Sequence, residues 1–200
     1  MNSEIEAKFI NVNHDAIREQ LKELGAVREQ PMRLMRRVVV HTPEMSEKNA
    51  FIRVRDEGYR TTMTYKQFDS DSVDGAKEHE ITVSDFDEAI SILSQGGLQY
   101  DVYQESKREN WLLGDVEIML DEWPWLKPYI EIEGSSEDDL KDVATKLGLD
   151  WQDAVYGGVS NVYRLQYPFI GDEGQDIINR GWPVIKFGDP APELIAKAVN

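Results

Sequence analysis

Glu4, Glu6 and Lys8 alternate with the apolar Ile5, Ala7 and Phe9 at the start of the chain. Successive side chains of a strand point to opposite faces, so a strand here sets two carboxylates and an amine on one face. Taken singly, such a stretch reads as a surface strand with its charges in water. The pattern recurs, however, at Arg53 and Arg55, Lys66, Glu78 and Glu80, Arg108, Asp121, and Glu131 and Glu133. Residues of the opposite parity (Ile52, Val54, Ile81, Ile118, Leu120, Ile130 and Ile132) are apolar. If helices cover the apolar face, the charged face lines an interior. Carboxylates crowded together repel one another and raise each other's pKa unless a cation holds them; oxygen-only donors suit a hard divalent ion, Mg2+ or Mn2+. Arg and Lys at the same level clamp an oxyanion, and Arg offers phosphate two parallel donors. Several bases beside metal-binding carboxylates fit a polyphosphate better than a monocarboxylate.

The elements that must position these residues follow from patterning. The first strand leads into a helix over 14–24, capped at Asn13 or the residue before it and stopped by Gly25. Residues 26–41 read as a long strand and 42–49 as a polar loop. Residues 51–55 and 61–68 pair as a hairpin through Asp56-Glu57-Gly58-Tyr59. A mobile acidic loop is expected over 69–75, then a strand over 78–83. A helix begins at Ser84 with Asp87 at its capping-box position and ends at Gly96-Gly97. Residues 98–110 and 111–122 read as two further strands, joined near Leu113-Gly114-Asp115 or slightly earlier. Trp123-Pro124-Trp125 makes a turn, residues 129–133 a strand, and a helix capped by Ser135 runs from 136 to 147. Strand, capped helix and glycine stop thus recur three times among antiparallel pairs. About eight strands in this rhythm suit an α+β fold in which an antiparallel barrel is just wide enough to hold a small ligand. The tail over 150–200 is less regular, with a strand-like stretch at 162–167 and a short helix at 193–199.

Composition narrows the function. With 38 acidic and 22 basic residues the 200-residue chain carries a net charge of −16, which repels phosphate backbones and disfavours nucleic-acid binding. Yet Arg33, Arg36, Arg37, Arg53, Arg55, Arg60 and Lys66 crowd one third of the chain, as a local anion site would require. The absence of Cys excludes disulfides and thiolate chemistry and is compatible with a reducing compartment. No apolar run approaches membrane-span length and the first residues carry no signal pattern, so a cytoplasmic protein that does not engage membranes is expected. His14 and His41 read as surface residues, and His79 has the parity that faces away from the charged interior. Asp69, Asp71 and Asp74 read as a solvated acidic loop rather than a calcium site.

Glu4-x-Glu6-x-Lys8, Phe51-Ile-Arg-Val-Arg55, Thr64-Tyr-Lys66, Glu78-His-Glu80, Arg108, Leu120-Asp121-Glu122 and Tyr129-Ile-Glu-Ile-Glu133 occur in an order that resembles the CYTH family, the triphosphate tunnel metalloenzymes. The resemblance covers about residues 1–165. It implies a closed eight-stranded antiparallel barrel with helices packed outside, whose charged bore takes a small-molecule triphosphate and a divalent metal. It also makes residues 166–200 a C-terminal extension that packs on or plugs the barrel. By this resemblance Glu4, Glu6, Glu80, Asp121, Glu131 and Glu133 hold the metal, Mg2+ or Mn2+, with Glu78 nearby. Lys8, Arg37, Arg53, Arg55, Lys66 and Arg108 bind the triphosphate, and Glu4, Glu6 and Lys8 form the catalytic signature. The expected activity is metal-dependent hydrolysis of inorganic, thiamine or nucleoside triphosphate. The alternatives are a class IV adenylate cyclase and a non-catalytic phosphate- or nucleotide-binding module. A homodimer is left open. Ser106 stands where the family usually has Lys, and Lys107 reaches the bore only if a bulge turns it inward. The second strand, around Met32 to Arg37, lacks the aromatic–acidic pattern of many cyclases, and Ser160-Asn-Val-Tyr163 loosely matches the family's Ser-Tyr segment.

Overall fold

The structure is a computed structural model that describes residues 2–69, 76–168 and 182–196, together with their side chains except at 2–4 and 194. Its strands are β1 (Asn2–Ile10), β2 (Val27–Val40), β3 (Ala50–Asp56), β4 (Thr61–Phe68), β5 (Ala76–Val83), β6 (Val102–Leu113), β7 (Val116–Glu122), β8 (Tyr129–Gly134) and the short β9 (Val184–Ile185). They are hydrogen-bonded in the order β2-β3-β4-β5-β1-β8-β7-β6-β9. Strand β6 also pairs with β2, from Val27 opposite Leu112 to Val39 opposite Val102, with register shifts around Gln30. The first and eighth strands of the order are therefore neighbours too. Pairings among β1 to β8 are antiparallel, and β9 joins β6 in parallel. The antiparallel strands and outer helices agree with the sequence expectation.

Helices cover the apolar parity. Ile17 and Leu21 of α1 (His14–Glu23) and Leu140, Val143 and Ala144 of α4 (Glu137–Lys146) pack on Ala7, Phe9, Ile118, Leu120, Ile130 and Ile132. Phe86 and Ala89 of α3 (Phe86–Gln95) lie over Val38 and Val54. With apolar surface worth roughly 25 cal/mol per Å2 buried, this is the face the fold must cover, and the charged parity is left to the inside. The α4 contact is close: a Cβ on Gly134 would lie 2.9 Å from Leu140 Cδ1 and 3.4 Å from Val116 Cγ2. Gly25, Gly97 and Gly148, just past α1, α3 and α4, have φ of 77°, 86° and 66°, the left-handed conformation in which glycine ends a helix without strain.

Several elements differ from expectation. Asp85 rather than Ser84 caps α3, accepting from Glu88 N, and Ser136 rather than Ser135 caps α4. Both pairs offer capping side chains, and only the residue with extended backbone next to the first turn can do the work. The polar loop after β2 holds a short helix, α2 (Pro43–Glu47), capped by Thr42. The strand-like 162–167 is part of helix α5 (Val159–Gln166), whose buried Val162 and Tyr163 pack with Trp123, Tyr129, Ile185 and Ile195. An alternating run of this length serves either period, and packing decides it. His14 is buried, its Nε2 3.0 Å from Tyr129 O, and is not a surface residue. The acidic loop at 70–75, with Asp71 and Asp74, lies outside the described residues. Among the described residues no helix is long and apolar enough to cross a membrane.

Candidate functional site

The charged faces of the strands meet around a cavity of about 680 Å3. Glu6 and Lys8 of β1, Arg37 of β2, Arg53 and Arg55 of β3, Lys66 of β4, Glu78 and Glu80 of β5, Arg108 of β6, and Glu131 and Glu133 of β8 all line it. Glu4 pairs with Ala76 in the backbone, but its side chain lies outside the described residues.

Two electrostatic zones share this cavity. In the first, acids and bases compensate. Lys8 Nζ lies 2.9 Å from Glu6 Oε1 and 3.1 Å from Glu131 Oε2. Lys66 Nζ lies 2.8 Å from Glu78 and 3.6 Å from Glu6. Arg108 grips Asp121 with two bonds of 2.7 and 2.6 Å and reaches Glu131 at 3.5 Å. Burial works against the Lys8 charge, but Glu131 and Glu6 outweigh it and raise its pKa. Burial likewise pushes the Glu131 carboxyl up, and Lys8 and Arg108 more than reverse it, holding Glu131 well below the usual carboxylate range.

In the second zone the bases are not balanced. Arg37 stands opposite Arg55 in the β2–β3 register, with Arg53 two residues along β3. Burial, then Arg53 and Arg55, lower the Arg37 guanidinium to about 9. Burial and Arg53 lower Arg55 to about 10, although Arg55 Nη2 sits 2.6 Å from Glu57. Among the described residues, the partners of Arg37 are neutral: the ring of Trp123 at 4.5 Å from its Cζ and Gln104 Oε1 at 2.7 Å from its Nε. Arg53 Nη2 donates to Thr64 Oγ1 at 3.2 Å and lies 3.6 Å from Glu80. Among the described residues, the Nε groups of Arg53 and Arg55 are buried without a hydrogen-bond partner. Buried donors with no acceptor are costly, and guanidiniums that repel one another define a place where an anion is favoured.

Some expected site residues are placed otherwise. Asp121 is 1% exposed, spends both oxygens on Arg108 and is not among the residues that line the cavity. Glu80 accepts from Thr64 Oγ1 at 2.7 Å and belongs to the arginine zone rather than to the cluster around Glu6 and Glu131. Lys107 pairs outside with Glu122 at 3.5 Å and lies over Phe187; no bulge turns it inward, and Arg108 serves alone. Glu117 also lines the cavity. Its parity with Met119 and Asp121 is visible in the sequence, yet outside any motif it went unassigned. In register, Glu6 faces Glu133 and Glu133 faces Glu117, a row of three carboxylates across three adjacent strands. Like charges directly opposite are destabilising. Among the described residues no three His, Asp or Glu side chains converge in metal-centre geometry. The donor set of the row is nonetheless all carboxylate oxygen, which fits a hard divalent cation. Beyond the bases, Phe51, Phe68 and His41 line the cavity, with His41 3.0 Å from Asp101. Gly158, Val159 and Ser160, at the start of α5, complete the wall.

The model of the CYTH domain family matches residues 2–155. Comparison with curated protein sequences gives no match. Among solved structures, the PH1012 protein of Pyrococcus horikoshii OT3 is 25% identical, with 76% of this chain and 93% of that one covered and a TM-score of 0.64. A candidate adenylate cyclase from Vibrio parahaemolyticus is 16% identical over 80% of this chain and 97% of its own, at a TM-score of 0.69. A candidate adenylyl cyclase from Hippeastrum, described as having a dominant triphosphatase activity, is 14% identical over 79% and 91%, at 0.54. The last two likenesses speak for the fold alone.

Proposed function

This chain belongs to the CYTH domain family, and from that membership we propose that it is a divalent-metal-dependent hydrolase of a small triphosphate. Inorganic triphosphate, thiamine triphosphate and nucleoside triphosphates are the candidate substrates. In this reading the ring of strands acts as a closed tunnel, residues 1–165 form the working domain, and 166–200 an extension against it. The observation that carries the reading is the arginine zone: Arg37 and Arg55 have guanidiniums driven down to about 9 and 10, and among the described residues Arg53 and Arg55 keep buried N–H groups without acceptors. A polyanion supplies both missing features, negative charge and oxygen acceptors.

The residues divide the work. Arg37, Arg53 and Arg55 take phosphoryl oxygens, Arg with its planar fork matching them two at a time. Lys8, Lys66 and Arg108, already held between carboxylates, stay charged and orient the chain beside them, so that the attacked phosphorus is fixed in line. Glu6, Glu131, Glu133 and Glu117 would hold Mg2+ or Mn2+, which when bound adds positive charge against the phosphoryl oxygens and makes bound water more acidic. Asp121 keeps the Arg108 guanidinium in its orientation.

Purified protein incubated with Mg2+ or Mn2+ and each candidate triphosphate tests the reading. Orthophosphate release that depends on the metal and disappears in Arg53→Ala and Glu131→Gln is expected. Cyclic AMP with pyrophosphate from ATP assigns the cyclase instead, and tight binding without product assigns a non-catalytic module. Failure to bind any triphosphate overturns the polyanion reading itself.

A further inference from the structure

Helix α5 begins on the wall of the cavity: Gly158 is its N-cap and makes no side-chain capping bond. The N–H groups of Val159 and Ser160, the first two of the helix, find no acceptor among the described residues. The first N–H groups of a helix carry roughly half a positive charge between them and suit a phosphate or carboxylate. A second observation points the same way. Ser160 is 4% exposed, lines the cavity, and its hydroxyl has no hydrogen-bond partner among the described residues. The helix is held in place from its other side, where Tyr163 donates to Pro124 O at 2.7 Å and Asn161 Nδ2 to Tyr156 O at 2.7 Å. Val162 and Tyr163 are fully buried. The donors are therefore preorganised, not searching for a partner.

We propose that the N-terminus of α5, with the Ser160 hydroxyl, is a further phosphoryl-binding subsite that holds one end of the substrate's phosphate chain in the cavity it shares with the arginine zone. The inference rests on the reading of the cavity as a polyanion site. It adds neutral donors to the charged ones: Val159 N, Ser160 N and Ser160 Oγ bind phosphoryl oxygens without bringing a further cation into the arginine cluster. It also gives Gly158 a reason. A Cβ there would have room, 3.6 Å from Ser160 Oγ and 4.0 Å from Phe68 Cζ, so any larger capping side chain could form and would occupy the subsite.

Titration calorimetry with inorganic triphosphate in EDTA, where no metal supports turnover, tests this with wild type, Ser160→Ala, Gly158→Asp and Arg53→Ala. Ser160→Ala should weaken binding roughly tenfold, the worth of a hydrogen bond to a charged group. Gly158→Asp should weaken it further while raising the melting temperature of the free protein, because an N-cap carboxylate satisfies the same N–H groups. Wild-type binding that Arg53→Ala abolishes, but that Ser160→Ala and Gly158→Asp leave intact, would overturn the subsite and spare the cavity reading. A wild type that binds no triphosphate removes both. If Gly158→Asp fails to fold, Ser160→Ala decides alone, since removing one buried hydroxyl leaves the packing unchanged.

Discussion

Arg37 should be a residue that the free protein is no worse without. Its guanidinium, ordinarily near 12.5, is driven to about 9 by burial and by Arg53 and Arg55. At roughly 1.4 kcal/mol per unit, that difference puts the cost of keeping the charge at about 5 kcal/mol as an upper bound. Because Arg37 borders the open cavity, screening cuts this to about half. Arg37→Met removes that cost and keeps the volume. It also gives up the contact over Trp123, worth about 1 kcal/mol, and orphans the amide oxygen of Gln104, which is 1% exposed, at about 1–3 kcal/mol. The single variant should therefore match wild type within about 1 kcal/mol. Arg37→Met with Gln104→Leu removes the orphan too and should be about 1–2 kcal/mol more stable, a rise of roughly 3–6 °C in Tm for a chain of this size. Both should bind inorganic triphosphate at least roughly tenfold more weakly. The pH dependence has a definite sign. A lowered folded-state pKa on a base means that the unfolded chain holds the proton more tightly above pH 9. The deficit is thus complete below about 9 and relieved as pH rises from there toward 12.5, where wild type gains on the variant. Denaturant titrations and calorimetry check each part. A double variant less stable than wild type by more than about 2 kcal/mol, binding triphosphate normally, would show that Arg37 is a structural residue and that the reasoning fails.

Other consequences can be measured separately. Burial pushes Glu57 up, but Arg55 and Arg60 overcome it and hold the carboxyl at about 2; its contribution, up to about 3 kcal/mol, is present above 4.5 and lost as pH falls toward 2. Glu57→Gln should therefore flatten the acid limb of the unfolding curve between those values, and an unchanged limb would contradict the assignment. Gly134→Ala should cost about 1–3 kcal/mol, since its Cβ would meet Leu140 at 2.9 Å; thermal melts should fall by several degrees while triphosphate binding is untouched. Glu117→Gln should weaken Mn2+ binding about tenfold or more in a metal titration read by electron paramagnetic resonance; unchanged affinity would remove Glu117 from the carboxylate row.

The strands and the facing of their charges were legible because period two is a strong signal when one face is apolar on strand after strand. Arg53, Arg55, Lys66, Glu78 and Glu131 line the cavity because parity alone places them there. What parity does not contain is the partner. Asp121 has the inward spacing, yet Arg108, opposite it in register, takes both its oxygens. Glu117 has the same spacing and lines the cavity, but no chemistry-bearing motif surrounds it in the sequence. The α5 wall was hidden for a different reason: Val162 to Tyr167 alternates well enough for a strand, and only packing of Val162 and Tyr163 against Trp123 and Tyr129 selects the helix and brings Ser160 to the cavity. Cap choice between adjacent candidates, Ser84 against Asp85 and Ser135 against Ser136, turns on backbone angles that composition does not encode.

The two zones of the cavity explain each other. In register Glu6, Glu133 and Glu117 set like charges side by side, with Lys8 2.9 Å from Glu6, and Arg37, Arg53 and Arg55 crowd one another in the second zone. On the proposed function, a cation at one end and a polyphosphate at the other would each place opposite charge within reach of the other, and would favour one another's binding by the same factor in both directions. Lys8, Lys66 and Arg108 sit at the junction, tied to Glu6, Glu78, Asp121 and Glu131. A protein of net charge −16 can still concentrate three arginines at one place, with Glu57 and Glu80 beside two of them. The surplus acid elsewhere is screened beyond roughly 8 Å at physiological ionic strength, and what a phosphate chain meets inside the cavity is the local arrangement, not the global sum.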